Sequence, residues 1–374
     1  MNCSGFTQAI PLTLTLSLAS IIAATVSVSL DAQVPQPLPE TLSTLKWREL
    51  PPIPDELGLA GPVVGVSGNY LLVGGGANLA RPFWDHDKQW HDLLYALDLT
   101  RESALWKSIG RLPAPRAYAA CVSTPFGIAV LGGNDARSTT RECWLIDLNE
   151  NATEPTQERL PDLPEPSVNA QACLVGDSLY LCCGQTEASL GSATAATWRL
   201  DLAGSRSDSQ LSRWQRMANC PGGARALHMV TALKDDRGQA VWLVGGRHEQ
   251  DGKTIFLRDV WRLDPATGAW QQRAPVPVPI AAGGAGAIGG GRLAVVSGDD
   301  GQLFDQTDSL RDRHPGFAKR AWIYDAAGDR WSSAGETPAN QLTTIPVVLP
   351  DKLILASGEV RPRVRTNQVW EIQY

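Results

Sequence analysis

One pattern constrains this chain more than any other: from Trp47 to the last residue, the same succession of segments recurs six times. Each copy opens on a Trp, or its equivalent, beside a Leu-Pro or Pro-rich corner. It passes through an Ala/Val-rich run into an apolar run that ends in glycine, and after a variable loop it reaches an aromatic run rich in Asp. Short apolar runs bounded by Gly and Pro are strand signals. The openings are Trp47, Trp106, Arg159-Leu160-Pro161, Trp214, Trp270 and Trp331. The apolar runs end at Gly74-Gly75, Gly132-Gly133, Gly184, Gly245-Gly246, Gly298 and Gly358, and the aromatic runs stand at 94–98, 144–147, 198–201, 260–264, 322–325 and 369–372.

A period of about 50 residues with a glycine-ended strand and an aromatic strand is the signature of kelch-type blades. The expected fold is therefore all-β, a six-bladed kelch-type β-propeller over 45–374. Each four-stranded blade buries its faces only against its neighbours, so the ring has to close. The last copy stops after its third strand, at Tyr374. Leu45-Lys46-Trp47-Arg48-Glu49 is expected to supply the missing outer strand and clasp the two chain ends. Two β-sandwiches would be the competing architecture, but the repeat spacing marks no midpoint boundary.

Composition agrees, since Gly 35, Pro 26 and Trp 13 suit many short strands and tight turns. A formal charge of −6 argues against general nucleic-acid binding, which needs a basic field over a whole face. Any anionic ligand must be met locally. The seven cysteines, Cys3, Cys121, Cys143, Cys173, Cys182, Cys183 and Cys220, show no paired metal spacing and read as free buried thiols, with Cys182 and Cys183 facing opposite ways along one strand. His86, His91, His228, His248 and His314 form no metal-like pair either. Neither a metal nor a cofactor is expected. Residues 11–30 are apolar and uncharged, and a Pro-rich stretch follows. This reads as a signal peptide or membrane anchor over 1–32 and a linker over 33–44, hence a periplasmic or secreted ring that meets the membrane only if the leader is retained. Pairing of two rings as a homodimer is left open.

In a propeller the strand-ending glycines lie near the axis on one face, and the loops after them converge there. Those loops carry Asn78, Asn134-Asp135, Gln185, Arg247-His248, Asp299-Asp300 and Glu359. A second polar set, Arg116, Asn169, Arg225 and Thr343-Thr344, stands in the loops that enter the inner strands. Any one of these by itself reads as a turn residue or a blade-to-blade hydrogen bond. Six converging sets read as a polar mouth for a small hydroxylated anion, a sugar acid. The long connections at 81–90 and around His314 are expected to fold over that mouth. The most highly charged stretch is Ser357-Gly358-Glu359-Val360-Arg361-Pro362-Arg363-Val364-Arg365-Thr366, where Pro362 argues for a loop and against a regular strand.

That decapeptide resembles the Asn-Gly-Glu-Ala-Lys-Pro-Gly-Leu-Arg-Thr motif of the bacterial N-acetylneuraminate epimerases, or sialic acid mutarotases, which are six-bladed kelch propellers. The likeness extends to 61–78, to Arg116-Ala117-Tyr118 and to 304–338. In those enzymes the motif lies mid-chain, whereas here it ends the chain, so the sequence is similar to the cyclically permuted mutarotase branch. The resemblance implies an isomerase that interconverts the α and β anomers of N-acetylneuraminate or a related sugar acid by general acid-base catalysis without a cofactor. It places Glu359 on the proton-accepting glutamate and Arg365 on the motif arginine. Arg361 stands where the motif has Lys and Arg363 where it has Gly.

Guanidinium groups around Glu359 favour its charged form. Arg365 or Arg361 would fork onto the substrate carboxylate. Further substrate contacts are expected from Arg116, Asn78, Gln185, Arg225, Asp299 and His314. The acid for the ring oxygen stays open among His314, Arg116 and a bound water. The alternative reading is a kelch ring that binds a glycan or protein partner without chemistry. A copper oxidase would need a Tyr/His/Cys set that the sequence does not place together.

Overall fold

The computed structural model describes residues 1, 45–149, 154–207 and 213–374. The expected leader and linker (1–32 and 33–44), with Cys3, lie outside the described residues apart from Met1. Among the described residues no helix is long and apolar enough to cross a membrane.

The ring lies within the compact unit Leu38–Tyr374 and consists of six antiparallel blades. Their inner strands are Ala60–Ser67, Ala120–Thr124, Gln171–Val175, Met229–Asp235, Gly284–Ala287 and Val347–Val348. Second strands such as Gly127–Leu131 are buried along their whole length, because a neighbouring blade covers each face. Outer strands such as Thr156–Leu160 meet water and are correspondingly polar. Among the described residues the apolar core divides into six clusters, and each lies between two consecutive blades. The cluster between the sixth and first blades joins Val347, Ile354 and Val369 to Val64, Leu71 and Val73.

The sixth blade is composite. Lys46–Leu50 forms its outer strand against Val369–Gln373, with Lys46 opposite Gln373 and Leu50 opposite Val369. The clasp expected from the sequence is therefore present in full register. Arg48 forks onto Glu371 (Nε–Oε1 3.1 Å, Nη2–Oε2 2.9 Å), and Lys352 reaches the same carboxylate at 3.2 Å. Burial pulls the Glu371 carboxyl up, but these donors and Gln373 outweigh it and hold it below its ordinary range.

The recurring tryptophans open the outer strands, so the sequence unit straddles two blades. The indole N–H groups of four of them tie a blade to the one before: Trp106 to Pro51 O (2.7 Å), Trp214 to Pro161 O (2.9 Å), Trp270 to Ala218 O (3.0 Å) and Trp331 to Ala274 O (2.8 Å).

Two rings of hydrogen bonds circle the axis at the end of the ring where the second strands finish. In the inner ring Tyr118 N donates to Gly61 O (2.9 Å), Asn169 N to Tyr118 O (3.1 Å) and Leu227 N to Asn169 O (3.0 Å). Ala282 N then donates to Leu227 O (2.6 Å), Thr343 N to Ala282 O (2.8 Å) and Gly61 N to Thr343 O (2.8 Å), which closes the circle. All six residues have φ between 54 and 59°. In the outer ring the second residue of each glycine doublet donates to the next blade: Gly76 to Arg116 O, Gly133 to Ser167 O, Gly184 to Arg225 O, Gly246 to Ile280 O and Gly358 to Leu59 O, at 2.7–2.9 Å. Gly298 uses the Asn340 side chain instead.

The doublet's first residue is left-handed in every blade (Gly75, Gly132, Cys183, Gly245, Ser297, Ser357; φ 52–67°). A Cβ on Gly132 would stand 2.3 Å from Ser167 O, which is why glycine recurs there. Two expectations are corrected by this geometry. The doublet of the first blade is Gly75-Gly76, one residue later than read. Cys183 also does not share a strand with Cys182, because the strand ends at Cys182 and Cys183 takes the left-handed turn. The six described cysteines are free and buried, and burial pushes the Cys121 and Cys143 thiols up to about 12.

Two outcomes follow for stability. Truncation to Pro51 exposes the edge of Val369–Gln373 and opens the sixth blade; it should remove several kcal/mol of the roughly 5–15 kcal/mol typical of a folded protein, seen as a collapse of the urea midpoint. His228 is fully buried, and burial together with the Arg225 charge pushes it down to about 3. The unfolded chain takes up this proton from about pH 6.5 downward, while the folded chain resists until about pH 3. Stability is thus lost as pH falls through that window, by up to about 1.4 kcal/mol per pH unit. Urea titrations at pH 7.5 and 4.5 should show a smaller acid loss in His228→Leu than in the wild type.

Candidate active site

One position per blade follows the glycine doublet and bridges back to the start of the inner strand. The pairs are Ala60–Ala77, Ala117–Asn134, Val168–Gln185, Ala226–Arg247, Ala281–Asp299 and Leu342–Glu359. Equivalent positions thus carry Ala, Asn and Gln in blades 1–3 and Arg, Asp and Glu in blades 4–6. The charge is concentrated on one half of the mouth.

Asn78 is not the equivalent residue of the first blade; Ala77 is. The Asn78 side chain is built into the wall, donating to Gly58 O (3.1 Å) and facing His91 Nε2 (2.8 Å). Gln185 is likewise engaged, accepting from Asn169 (2.8 Å) and donating to Ala188 O (3.2 Å). Arg116 holds Gly132 O (3.2 Å) and Glu142 (2.9 Å), and Arg225 holds Gly245 O (3.0 Å) and both oxygens of Asp259 (2.7 and 2.8 Å). Each of these arginines secures the carbonyl of the left-handed glycine in its own blade. Contrary to the sequence reading, these four residues serve the scaffold and do not line the charged cavity.

That cavity, about 210 Å³, is lined by Arg247, Asp299, His314, Phe317, Glu359 and Arg363 among others. The decapeptide forms one wall. It is not a plain loop: Glu359–Arg361 and Val364–Arg365 pair as a two-stranded ribbon with Glu359 opposite Arg365. Pro362 sits at its turn, where its missing N–H matters little, and Arg363 adopts φ 67°. Glu359 Oε1 accepts the Arg363 backbone N–H (2.6 Å) and lies 3.4 Å from Arg365 Nη1. Glu359 Oε2 has no hydrogen-bond partner among the described residues.

The other two arginines of the ribbon reach outward. Arg361 holds Asp312 through its carbonyl (2.7 Å) and carboxylate (3.1 Å), which joins the ribbon to the connection carrying His314. Arg363 donates to Phe83 O (2.8 Å) and His86 O (2.7 Å) and lies over the Trp84 ring (5.4 Å to the centroid), which joins it to the 81–90 connection. Arg365 is 4 % exposed and sits behind Glu359, outside the cavity lining.

Asp299 Oδ1 accepts the Gly301 N–H (2.9 Å), and burial raises its carboxyl above the ordinary range. His314 Nδ1 accepts the Gly316 N–H (3.1 Å), which puts the ring proton on Nε2, and burial lowers its basicity. Arg247, named in the sequence only among the converging loop residues, lines the cavity with its guanidinium near the rings of Phe304 (5.1 Å) and Phe256 (5.9 Å). Burial lowers its basicity, against the opposing charges of Asp299 and Glu359. Its position was readable, since it follows Gly245-Gly246 as Glu359 follows Gly358.

No protein-family model matches the chain. Curated proteins named N-acetylneuraminate epimerase do match. That of Yersinia pestis is 28 % identical over 237 residues, 57 % of each chain. That of Yersinia enterocolitica is 27 % identical over 242 residues, again 57 % of each, and that of Salmonella enteritidis 24 % over 238 residues, 58 % of each. The chain resembles the N-acetylneuraminate epimerases. The match to these epimerases spans 57–58 % of their own length. A solved structure titled "Structure of YjhT" superimposes with a TM-score of 0.64 over 87 % of this chain and 99 % of that one, at 14 % identity, a likeness of fold.

Against the epimerase motif, Arg363 is the departure that the geometry explains. Its backbone keeps the left-handed turn for which the motif uses Gly, and its side chain is a strut to the neighbouring connection. Arg363→Gly should leave stability within about 1 kcal/mol, as for other partly exposed polar contacts. It should raise amide hydrogen exchange across 81–90, measured by mass spectrometry, while exchange in the inner strands is unchanged.

Proposed function

We propose that the protein is a sugar-acid mutarotase that interconverts the α and β anomers of N-acetylneuraminate or a related sugar acid. The observation that carries this reading is Glu359, whose Oε1 is fixed by the Arg363 N–H and Arg365 while Oε2 stands without a partner at the cavity wall. A cavity of about 210 Å³ is small beside the roughly 300–1,000 Å³ of sites for drug-sized ligands, and suits a single sugar. The epimerase relatives supply the reaction class, and residues 11–30 support export of the ring.

Mutarotation needs a base for the anomeric hydroxyl and an acid for the ring oxygen, both within hydrogen-bond reach. Glu359 takes the hydroxyl proton, the C–O bond of the ring breaks as the carbonyl forms, and the ring oxygen receives a proton. Rotation about the adjacent C–C bond presents the other carbonyl face. Reclosure reverses both transfers, so atoms and charges return to their starting places.

Asp299 is the acid in this scheme. Burial keeps its proton to higher pH than an ordinary aspartate, and its Oδ2 has no partner among the described residues. His314, neutral and with its proton on Nε2, serves as a hydrogen-bond donor; Arg116 is engaged elsewhere.

Glu359→Gln keeps the acceptor for the Arg363 N–H and removes the base. Proton NMR of freshly released α-N-acetylneuraminate should show catalysed anomer exchange slowed by about 10²–10⁴-fold, with an unchanged melting curve. Full activity in that variant would remove Glu359 from the role.

A further inference from the structure

We infer that Arg247, rather than an arginine of the ribbon, holds the substrate carboxylate, and that it selects sugars whose carboxylate sits on the anomeric carbon itself. This inference rests on the mutarotase reading above and deepens it. Most other guanidinium groups around the mouth are already engaged. Arg361 is on Asp312, Arg363 on the Phe83 and His86 carbonyls, Arg116 on Glu142, and Arg225 on Asp259. Arg365 also has buried side-chain nitrogens, Nε and Nη1, without a hydrogen-bond partner, but it is ion-paired with Glu359 at 3.4 Å and lies outside the cavity lining, where a ligand in the cavity does not meet it.

The Arg247 side chain makes no hydrogen bond or ion pair among the described residues, and its Nε is shut off from solvent without a partner. A desolvated charge without a hydrogen-bonded partner is unfavourable in a folded protein, even with carboxylates nearby. An anion in the cavity would relieve it. The neighbouring rings of Phe304 and Phe256 restrict the plane of the guanidinium, so the fork that meets a planar carboxylate is already oriented. Long pairing supports the placement: the second and third strands of this blade, Gly238–Gln250 and Lys253–Leu263, run on past the glycine doublet and set Arg247 opposite Phe256.

The remaining charges of the cavity fix what lies beside the anchored group. Glu359 lines the same space and would repel a carboxylate placed beside it, while the Arg363 guanidinium is turned onto the Phe83 and His86 carbonyls. A carboxylate on Arg247 therefore puts its own carbon substituents next to the base and the acid. In a 2-keto sugar acid one carbon bears the carboxylate, the hydroxyl to be deprotonated and the bond to the ring oxygen. Anchor, base and acid then act on a single centre. A uronic acid carries its carboxylate on the other carbon bonded to the ring oxygen, not on the anomeric carbon, and a neutral aldose carries none, so neither presents both features at one centre.

The test uses the full chain, with calorimetric titration of N-acetylneuraminate and of its methyl ester and anomer-exchange NMR alongside. The wild type should bind the acid about 10–100-fold more tightly than the ester, the range of a charge-assisted hydrogen-bonded pair. Arg247→Gln should lower acid binding to the ester's level, and Arg247→Lys should restore part of the preference. Melting curves establish that each variant folds. Equal binding of acid and ester by the wild type, binding of neither, or an undiminished preference in Arg247→Gln overturns the inference. Arg247-dependent binding without any anomer exchange would keep the anchor and overturn the mutarotase reading, so the two fail separately.

Discussion

Everything in this molecule depends on the fact that no blade has a core of its own. The apolar side chains of each sheet are covered by the sheets before and after it, and the six clusters between blades form a circle with no free end. A linear stack would leave two faces bare. Pairing Lys46–Leu50 with Val369–Gln373 removes that defect by making one blade from both chain termini, and the Glu371 cluster with Arg48 and Lys352 fixes the junction. The two axial rings of hydrogen bonds, the inner one all backbone and the outer one completed by the Asn340 side chain, repeat the same closure near the mouth.

The closed ring turns a repeated sequence into an unequal site. Six equivalent positions face one opening, yet three carry charge and three do not. Asn134 and Gln185 are satisfied within the protein, by Trp90 and Asn169, whereas Arg247, Asp299 and Glu359 keep bonding capacity toward the cavity. Symmetry supplies the framework, and side-chain groups of Arg247, Asp299 and Glu359 without partners among the described residues break it on one side.

How much of this was legible in the sequence differs between fold and site. The blade count, the ring and the clasp followed from the period and from where the last copy stops. Register at the first blade did not, because three consecutive glycines, Gly74, Gly75 and Gly76, offer two doublets. Only the left-handed geometry of Gly75 and Gly76 distinguishes them. Arg116 and Arg225 look like ligand arginines in sequence, since what makes them structural is a partner far along the chain, Glu142 or Asp259. Arg247 was passed over for the opposite reason: its distinction is the partner it lacks. Pro362 pointed away from paired strands, and the ribbon nonetheless forms because the proline occupies the turn.

The ribbon that bears Glu359 lies between Lys352–Ala356 and Val369–Gln373, both strands of the blade made from the two ends of the chain. Of the strands of the ring, a ribosome makes Lys46–Leu50 first and Val369–Gln373 last. Glu359 therefore gains its supporting sheet only once both Lys46–Leu50 and Val369–Gln373 have been made, after every other blade already has its own strands. A nascent polypeptide that lacks Val369–Gln373 carries the sequence of the ribbon without the blade that supports it.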